Sequence, residues 1–179
     1  MTDKVEIVTE RFLLRELTCK DVSVKYLCWL HDDDAKKYIT ASTSTRELSD
    51  LARYVREHIG RDDVVFLGIF DKEAGCHIGN VKYEPVDSAL GRAVVGILIG
   101  EPGWRSKGVA GEALVASAGW LYKHRNIRQI ALGVSRVNAA AIRAYQKVGF
   151  VEEPTDLIPA ITPEGVSMVW HLDVEPSLS

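Results

Sequence analysis

The sequence predicts an α+β fold, a mixed sheet with helices on its faces, from the order of its elements. Three apolar, strand-like runs follow one another in the middle of the chain, at residues 64–70, 76–85 and 92–100. The short turns between them predict hairpins, so this part of the sheet is antiparallel. A helix–strand–helix succession follows, and it predicts strands with helical crossovers. A doubly wound dinucleotide fold is disfavoured, because the glycine-containing loop comes only after the hairpins.

The first elements are a strand at residues 11–17 and two helices. Thr18-x-x-Asp21 resembles a capping box and predicts a helix that runs to about Leu30. Ser44-x-x-Glu47 opens a second helix, and its apolar residues recur at helical spacing until Gly60 ends it: Leu48, Leu51, Val55 and Ile59.

The later elements begin with turns at residues 71–75 and 87–91 between the three central strands. A helix over 107–125, a strand over 129–134 and a helix over 138–148 come next. Two closing strands are predicted, one near Phe150 and one over 166–172.

Composition is that of a globular protein. A chain of 179 residues with 46% hydrophobic content predicts a single domain spanning 1–179. No run of about 18 apolar residues is present, so we expect no membrane segment, and we expect no signal peptide. Three cysteines without a Cys-x-x-Cys pair argue against a disulfide framework and favour the cytoplasm. The five histidines form no cluster, so we expect no metal; His31 with Asp32–Asp34 is interpreted as a solvated loop.

Charge is concentrated in one part of the chain. The formal charge is −3, yet residues 103–150 carry eight basic residues against the single acid Glu112. This segment is therefore at +7 and the remainder at −10. The asymmetry favours a local anionic ligand over nucleic acid, which would require a basic surface throughout. A solvated basic helix face is the alternative interpretation.

Two motifs lie in the basic segment. The loop that contains Arg105-x-x-Gly108-x-Ala110 leads into a helix, whose first backbone N–H groups have no intrahelical partner and attract an anion. A glycine-containing turn that merely starts an amphipathic helix is the alternative. The second motif places Asn138, Ala141 and Tyr145 on one helical face, about two turns from end to end. Together the motifs predict a site for a diphosphate-bearing ligand with a phenol nearby.

The two motifs in this order resemble the GNAT (Gcn5-related N-acetyltransferase) superfamily: Arg105-x-x-Gly108-x-Ala110, then Asn138-x-x-Ala141-x-x-x-Tyr145-x-Lys147-x-Gly149-Phe150. The likeness extends from the strand at Arg11 to Phe150. It implies about seven strands, antiparallel except for a central parallel pair that splays apart, with helices on both faces. Within the superfamily, the sequence looks most similar to the ribosomal-protein N-terminal and amino-sugar acetyltransferases. Residues 26–31, 77–80 and 96–100 resemble enzymes that act on nucleotide-linked amino sugars.

The resemblance implies an acetyl-CoA-dependent N-acetyltransferase that transfers acetyl directly to a primary amine in a ternary complex. It places the pantetheine arm along Leu98, Ile99 and Gly100. It places the diphosphate at the loop and helix start, with further cofactor contacts on the later helix: Arg105, Ser106, Lys107, Gly108, Val109, Ala110, Gly111, Asn138, Ala141 and Tyr145. The phenol of Tyr145 would protonate the departing thiolate; packing in the core is its alternative role. Neither motif contains a cysteine, so an acetyl-cysteine intermediate has no obvious nucleophile.

The general base is less well defined. Relatives in the N-terminal-acetylating branch carry a Glu before the apolar–Gly step of the central strand, where this chain has Val94 and Val95. The candidates are Glu84, Glu101 and, more weakly, His77; a water chain is an alternative. Residues 20–60 and 155–164 are expected to frame the acceptor pocket.

Two other acceptor and functional classes stay open. One is acetylation of a protein N-terminus, and the other is a non-catalytic acyl-CoA-binding module. The expected partner is a small-molecule amine, not nucleic acid or a membrane, and a homodimer is left open.

Overall fold

The computed structural model describes residues 4–32, 46–158 and 164–178. The strands are β1 (Glu6–Val8), β2 (Phe12–Glu16), β3 (Val65–Asp71), β4 (His77–Asp87), β5 (Arg92–Ile99), β6 (Gln129–Ser135), β7 (Val151–Glu152) and β8 (Gly165–His171). The α-helices are α1 (Val24–His31), α2 (Leu48–His58), α3 (Val109–His124) and α4 (Ala139–Val148). Two short 3₁₀ helices span Cys19–Asp21 and Pro102–Trp104.

The strands of the described chain form one sheet in the order β1-β2-β3-β4-β5-β6-β8-β7. β5 and β6 are parallel, and each other pair of neighbours is antiparallel. The predicted α+β class, with a mostly antiparallel mixed sheet and a central parallel pair, is confirmed. The count is eight strands rather than about seven. The additional strand is β1, which is only three residues long and has two exposed residues, so its sequence carries no alternating pattern.

The first capping signal marks a different element from the one predicted. Thr18 and Asp21 do form a capping box, but on the 3₁₀ helix Cys19–Asp21. The helix α1 begins later, with Ser23 as its N-cap residue; the Ser23 hydroxyl accepts from the Tyr26 N–H at 3.1 Å. The helix α2 begins after Glu47, whereas Ser44 lies outside the described residues.

Apolar side chains pack on both faces of the sheet. The larger core joins the sheet to α3 and includes Tyr83, which is fully buried and whose hydroxyl lies 2.8 Å from Ser117 Oγ of α3. A smaller core joins the opposite face to α1 and α2; its buried members include Tyr26, Trp29 and Leu51. Among the described residues, no helix is long and apolar enough to cross a membrane.

Gly100 directly follows β5 and lies close to Trp29 of α1. A Cβ on Gly100 would overlap the indole of Trp29, a buried side chain of the smaller core. We expect Gly100→Ala to destabilise the protein by about 1–3 kcal/mol, because the ring must move out of a packed position. Urea denaturation measures this change. Gly103→Ala is the matched control, since no atom lies within 4 Å of its added Cβ; an equal loss in both variants would contradict the packing argument.

Candidate active site

The parallel strands β5 and β6 separate partway along their length. Their pairing joins residues 92–94 to residues 129–131 and stops there, although β5 continues to Ile99 and β6 to Ser135. The Gly100 N–H donates to the Ile78 carbonyl of β4 at 3.0 Å. Because backbone groups alternate in direction along a strand, those of Ile97 and Ile99 face the gap and those of Leu98 face β4. The gap is therefore edged by backbone groups without a strand partner.

The start of α3 offers free backbone donors. Gly108 is the N-cap residue and has a φ of 75°, which glycine adopts without strain. The first hydrogen bond within the helix runs from the Glu112 N–H to the Gly108 carbonyl at 3.1 Å. No side chain of the described chain caps this end. The N–H groups of Val109, Ala110 and Gly111 are thus available to an anion, as the sequence predicted for this loop.

The two basic side chains of the loop differ in their surroundings. Arg105 donates through Nε to the Ile99 carbonyl at 3.1 Å and through Nη2 to the Gly100 carbonyl at 3.2 Å, and it pairs with Asp32 at 3.0 Å. Arg105 therefore links the end of β5 to the end of α1 through these contacts. Lys107 is exposed, with Nζ 5.6 Å from the centre of the Trp104 ring. Arg105 as a direct cofactor contact stays a prediction, although its Nε and Nη2 already donate to partners in the protein.

The second motif forms α4. Asn138 is the N-cap residue, as expected, and its Oδ1 accepts from the Ala141 N–H at 3.2 Å. Tyr145 is half-buried against the larger core, and its ring centre lies 5.9 Å from that of Phe150. No hydrogen bond to its hydroxyl is made within the described residues, and burial raises the pKa of Tyr145 to about 12. The phenol is therefore protonated at neutral pH, which is the state that a proton donor requires.

Glu84 lies among cations. Its carboxylate is 2.8 Å from Lys82 Nζ, 2.8 Å from Arg61 Nη1 and 3.2 Å from His58 Nε2. Burial opposes the charged form, but the hydrogen bond from Lys82 and the neighbouring positive charges outweigh it. The pKa of Glu84 is therefore below its usual range. A carboxylate held in this way is a weak proton acceptor.

Glu101 lies at the other end of the gap from Glu84. Glu84 follows Tyr83, which faces Val95, whereas Glu101 lies two residues beyond Ile99, which faces Gly79. The Glu101 carboxylate is 2.6 Å from Lys25 Nζ of α1. Its carbonyl accepts from the Trp104 N–H at 3.0 Å, so Glu101 also fixes the turn after β5. The two predicted bases therefore cannot act on the same acceptor position.

The third candidate base, His77, is enclosed by aromatic rings. It stacks on Phe70 and makes edge contacts with Tyr26 and Trp29. Its Nε2 lies 3.0 Å from the Gly79 carbonyl and 2.7 Å from Asn80 Oδ1, two acceptors, so Nε2 carries the proton. The basic nitrogen Nδ1 is buried without a partner among the described residues, and burial lowers the pKa of His77.

A patch of the sheet without side chains lies on the α1–α2 face, where β5 and β6 begin to separate. Its floor is exposed glycine: no atom lies within 4 Å of a Cβ added to Gly96, and Ile158 Cγ2 lies 3.8 Å from one added to Gly133. Lys82 faces Gly96 in the β4–β5 register, and its Nζ donates to Tyr54 Oη of α2 at 2.8 Å. We call these five residues the glycine basin. A ligand there can approach the sheet backbone beside the gap.

Parts of the predicted acceptor pocket lie outside the described residues, namely residues 33–45 and 159–163. Within the described ranges, no group of three or more His, Cys, Asp and Glu side chains is placed to hold a metal ion. The three cysteines are free and exposed.

The sequence analysis did not identify the contacts that Thr9 and Arg11 make with Glu112 at the start of α3. The available signal was Glu112 itself, the single acid of the basic segment.

Comparison with known proteins agrees with this geometry. Residues 11–151 match the family model described as an acetyltransferase (GNAT) domain. The uncharacterized N-acetyltransferase p20 of Bacillus licheniformis is 26% identical over 149 residues, which cover 82% of this chain and 83% of that protein.

Two solved structures share the fold at low sequence identity. The spermidine N-acetyltransferase of Vibrio cholerae, in complex with CoA and spermine, is similar at 20% identity with a TM-score of 0.77, over 91% of this chain and 96% of that one. The ribosomal L7/L12 alpha-N-protein acetyltransferase RimL, in complex with coenzyme A, is similar at 13% identity with a TM-score of 0.80, over 94% and 99%. Because the family model spans most of the sequence, the chain belongs to the GNAT family of acetyltransferases and is an acetyl-CoA-dependent N-acetyltransferase.

Proposed function

We propose that this protein, as a single domain spanning 1–179, transfers acetyl from acetyl-CoA directly to a small primary amine, the amino group of a nucleotide-linked sugar. The observation that carries the proposal is the gap between β5 and β6, which opens beside the glycine basin on one face. A thioester in the gap and an amine in the basin would meet where the strands separate.

The free N–H groups of Val109, Ala110 and Gly111 would bind the diphosphate. The pantetheine amides would pair with the gap-facing backbone of Ile99, at the end of β5 that leads to α3. The N–H of Ile97, nearer to the point where the strands separate, would donate to the thioester carbonyl and stabilise the developing oxyanion. The carbonyl of Ile99 already accepts from Arg105, which holds this strand end in place.

The amine would attack the carbonyl carbon, so that a C–N bond forms as the C–S bond breaks. The amine loses one proton, and the thiolate gains one from the Tyr145 phenol. Water returns the proton to Tyr145. The lowered pKa of Glu84 makes its carboxylate a weak base, so water leading from the basin would relay the amine proton to bulk solvent.

The acceptor is inferred from the basin. A primary amine fits a glycine floor bordered by the Tyr54 hydroxyl and the carboxylate of Glu84. A sugar nucleotide also needs a cation, and Lys82 faces Gly96 with its pKa raised: burial opposes its charge, but Glu84 and Tyr54 outweigh that effect. Lys36 and Lys37, two further cations expected near the acceptor, lie outside the described residues. The likeness to RimL keeps a protein N-terminus as the second candidate.

A panel of acceptors tests this proposal. We expect an amino-sugar nucleotide to give a higher kcat/KM than polyamines, aminoglycosides or short peptides with free N-termini, each assayed with acetyl-CoA. The corresponding amino sugar without its nucleotide is the control for the phosphate contact. Faster acetylation of the peptides would assign the protein to the N-terminal-acetylating type, and faster acetylation of the polyamines would assign it to the polyamine type.

Family membership favours the enzyme over a non-catalytic acyl-CoA-binding module. Cytoplasmic location and a homodimer stay predictions from the sequence.

A further inference from the structure

We propose that Arg11, on the turn between β1 and β2, is a binding and positioning residue for the diphosphate at the start of α3. The inference rests on the proposed function, because it concerns the same diphosphate site. It adds a residue from the N-terminal end of the chain to a site that the motifs confine to residues 105–145.

Arg11 fixes the loop through three hydrogen bonds. Its Nη1 donates to the Lys107 carbonyl at 3.0 Å, and its Nε donates to Glu112 Oε2 at 2.8 Å. The backbone N–H of Arg11 donates to the other oxygen, Glu112 Oε1, at 3.0 Å. The residues immediately before and within the first turn of α3 are thus tied to one guanidinium. The left-handed turn at Gly108 lies between these two attachment points.

Glu112 would otherwise oppose an anion at this helix end. Its carboxylate is in the first turn of α3 and only 10% exposed. It accepts from the Thr9 hydroxyl at 2.6 Å as well as from Arg11. Burial opposes its charge, but these donors outweigh burial and hold the pKa of Glu112 below its usual range. Arg11 offsets the negative charge of Glu112, so the free N–H groups keep their attraction for a phosphate.

One nitrogen of the Arg11 guanidinium, Nη2, remains available to a ligand. A Cβ added to Gly108 would lie 3.6 Å from Arg11 Nη2, so this nitrogen is beside the helix start. Within the described residues, Nη2 donates to no acceptor. The guanidinium carbon also lies 4.8 Å from the centre of the Phe12 ring, and Phe12 packs edge-on against Trp104. A guanidinium oriented in this way presents its remaining donors to a phosphate without further ordering.

The test compares acetyl-CoA with S-acetylpantetheine, which carries the same thioester but no diphosphate. We expect Arg11→Met to lower kcat/KM for acetyl-CoA at least about tenfold through KM, with kcat/KM for S-acetylpantetheine unchanged. Arg11→Lys keeps the charge but not the planar guanidinium. Its kcat/KM for acetyl-CoA should lie between those of the wild type and Arg11→Met. Arg136→Met is the control, because Arg136 is an exposed arginine of the same basic segment that pairs with Glu152.

The outcomes separate the roles. An equal loss with both thioesters would show that Arg11 only supports the fold, and no loss with either would show that it does not act on the ligand; each result overturns the proposal. If Arg11→Met does not fold, the ratio of kcat/KM for acetyl-CoA to kcat/KM for S-acetylpantetheine, measured for Arg11→Lys, decides between these results. A wild-type protein without any preference for acetyl-CoA over S-acetylpantetheine would overturn the diphosphate site itself, and with it the role of Arg11.

Discussion

Ala110→Glu should raise the KM for acetyl-CoA by about a hundredfold or more and leave the melting temperature unchanged or slightly higher. Ala110 is the second residue of α3, in the turn whose N–H groups are free. A carboxylate in the first turn of a helix is favourable to the helix, by about 0.3–1 kcal/mol, but it repels a diphosphate at the same place. Loss of binding without loss of stability is therefore the expected signature, measured by steady-state kinetics and thermal unfolding.

Ser49→Glu is the matched control, because Ser49 is the exposed second residue of α2, away from the gap. Its KM for acetyl-CoA should not change. Gly108→Glu is a less direct test, since the φ of 75° at Gly108 strains any side chain and mixes a backbone cost with the charge effect. An Ala110→Glu variant that keeps the wild-type KM would contradict the placement of the diphosphate at the start of α3.

Tyr145→Phe should lower kcat by about ten- to a thousandfold and leave the affinity for coenzyme A nearly unchanged. The variant keeps the ring that packs near Phe150 and removes only the hydroxyl, which has no partner among the described residues. Stability should therefore change little, whereas the departing thiolate loses its proton donor. Turnover under conditions where chemistry is rate-limiting measures the effect, and full activity would show that Tyr145 only packs.

The pH dependence of kcat gives a second measurement on Tyr145. Because burial raises its pKa to about 12, the phenol stays protonated through neutral and moderately alkaline pH. The wild-type rate should therefore not fall between about pH 8 and pH 10 through loss of this proton. Tyr122→Phe is the control: Tyr122 lies on α3 under the guanidinium of Arg128 and should leave kcat and its pH profile unchanged. A falling limb near pH 9 that is absent from Tyr145→Phe would contradict the raised pKa.

The features that depend on local pattern could be predicted from the sequence. Hairpin turns and apolar runs predicted the antiparallel strands β3, β4 and β5, and the helix–strand–helix succession predicted the parallel strand β6. The N-cap role of Asn138 and the uncapped start of α3 at Gly108 also follow from residues within a few positions of each other. Backbone geometry and capping are short-range effects, so they can be read from a sequence.

Which charged groups have partners depends on the tertiary structure, because those partners are distant in sequence. The loop motif predicts Arg105 as a cofactor contact, and in the fold its guanidinium donates to Asp32 and to the carbonyls at the end of β5. Arg11 meets Glu112 across 101 positions. Glu84 is one of the candidate bases from the sequence, and Arg61 and His58 contact it from the segment after α2 and from α2 itself. Folding brings these groups within hydrogen-bonding distance, and no local pattern in the sequence records those distances.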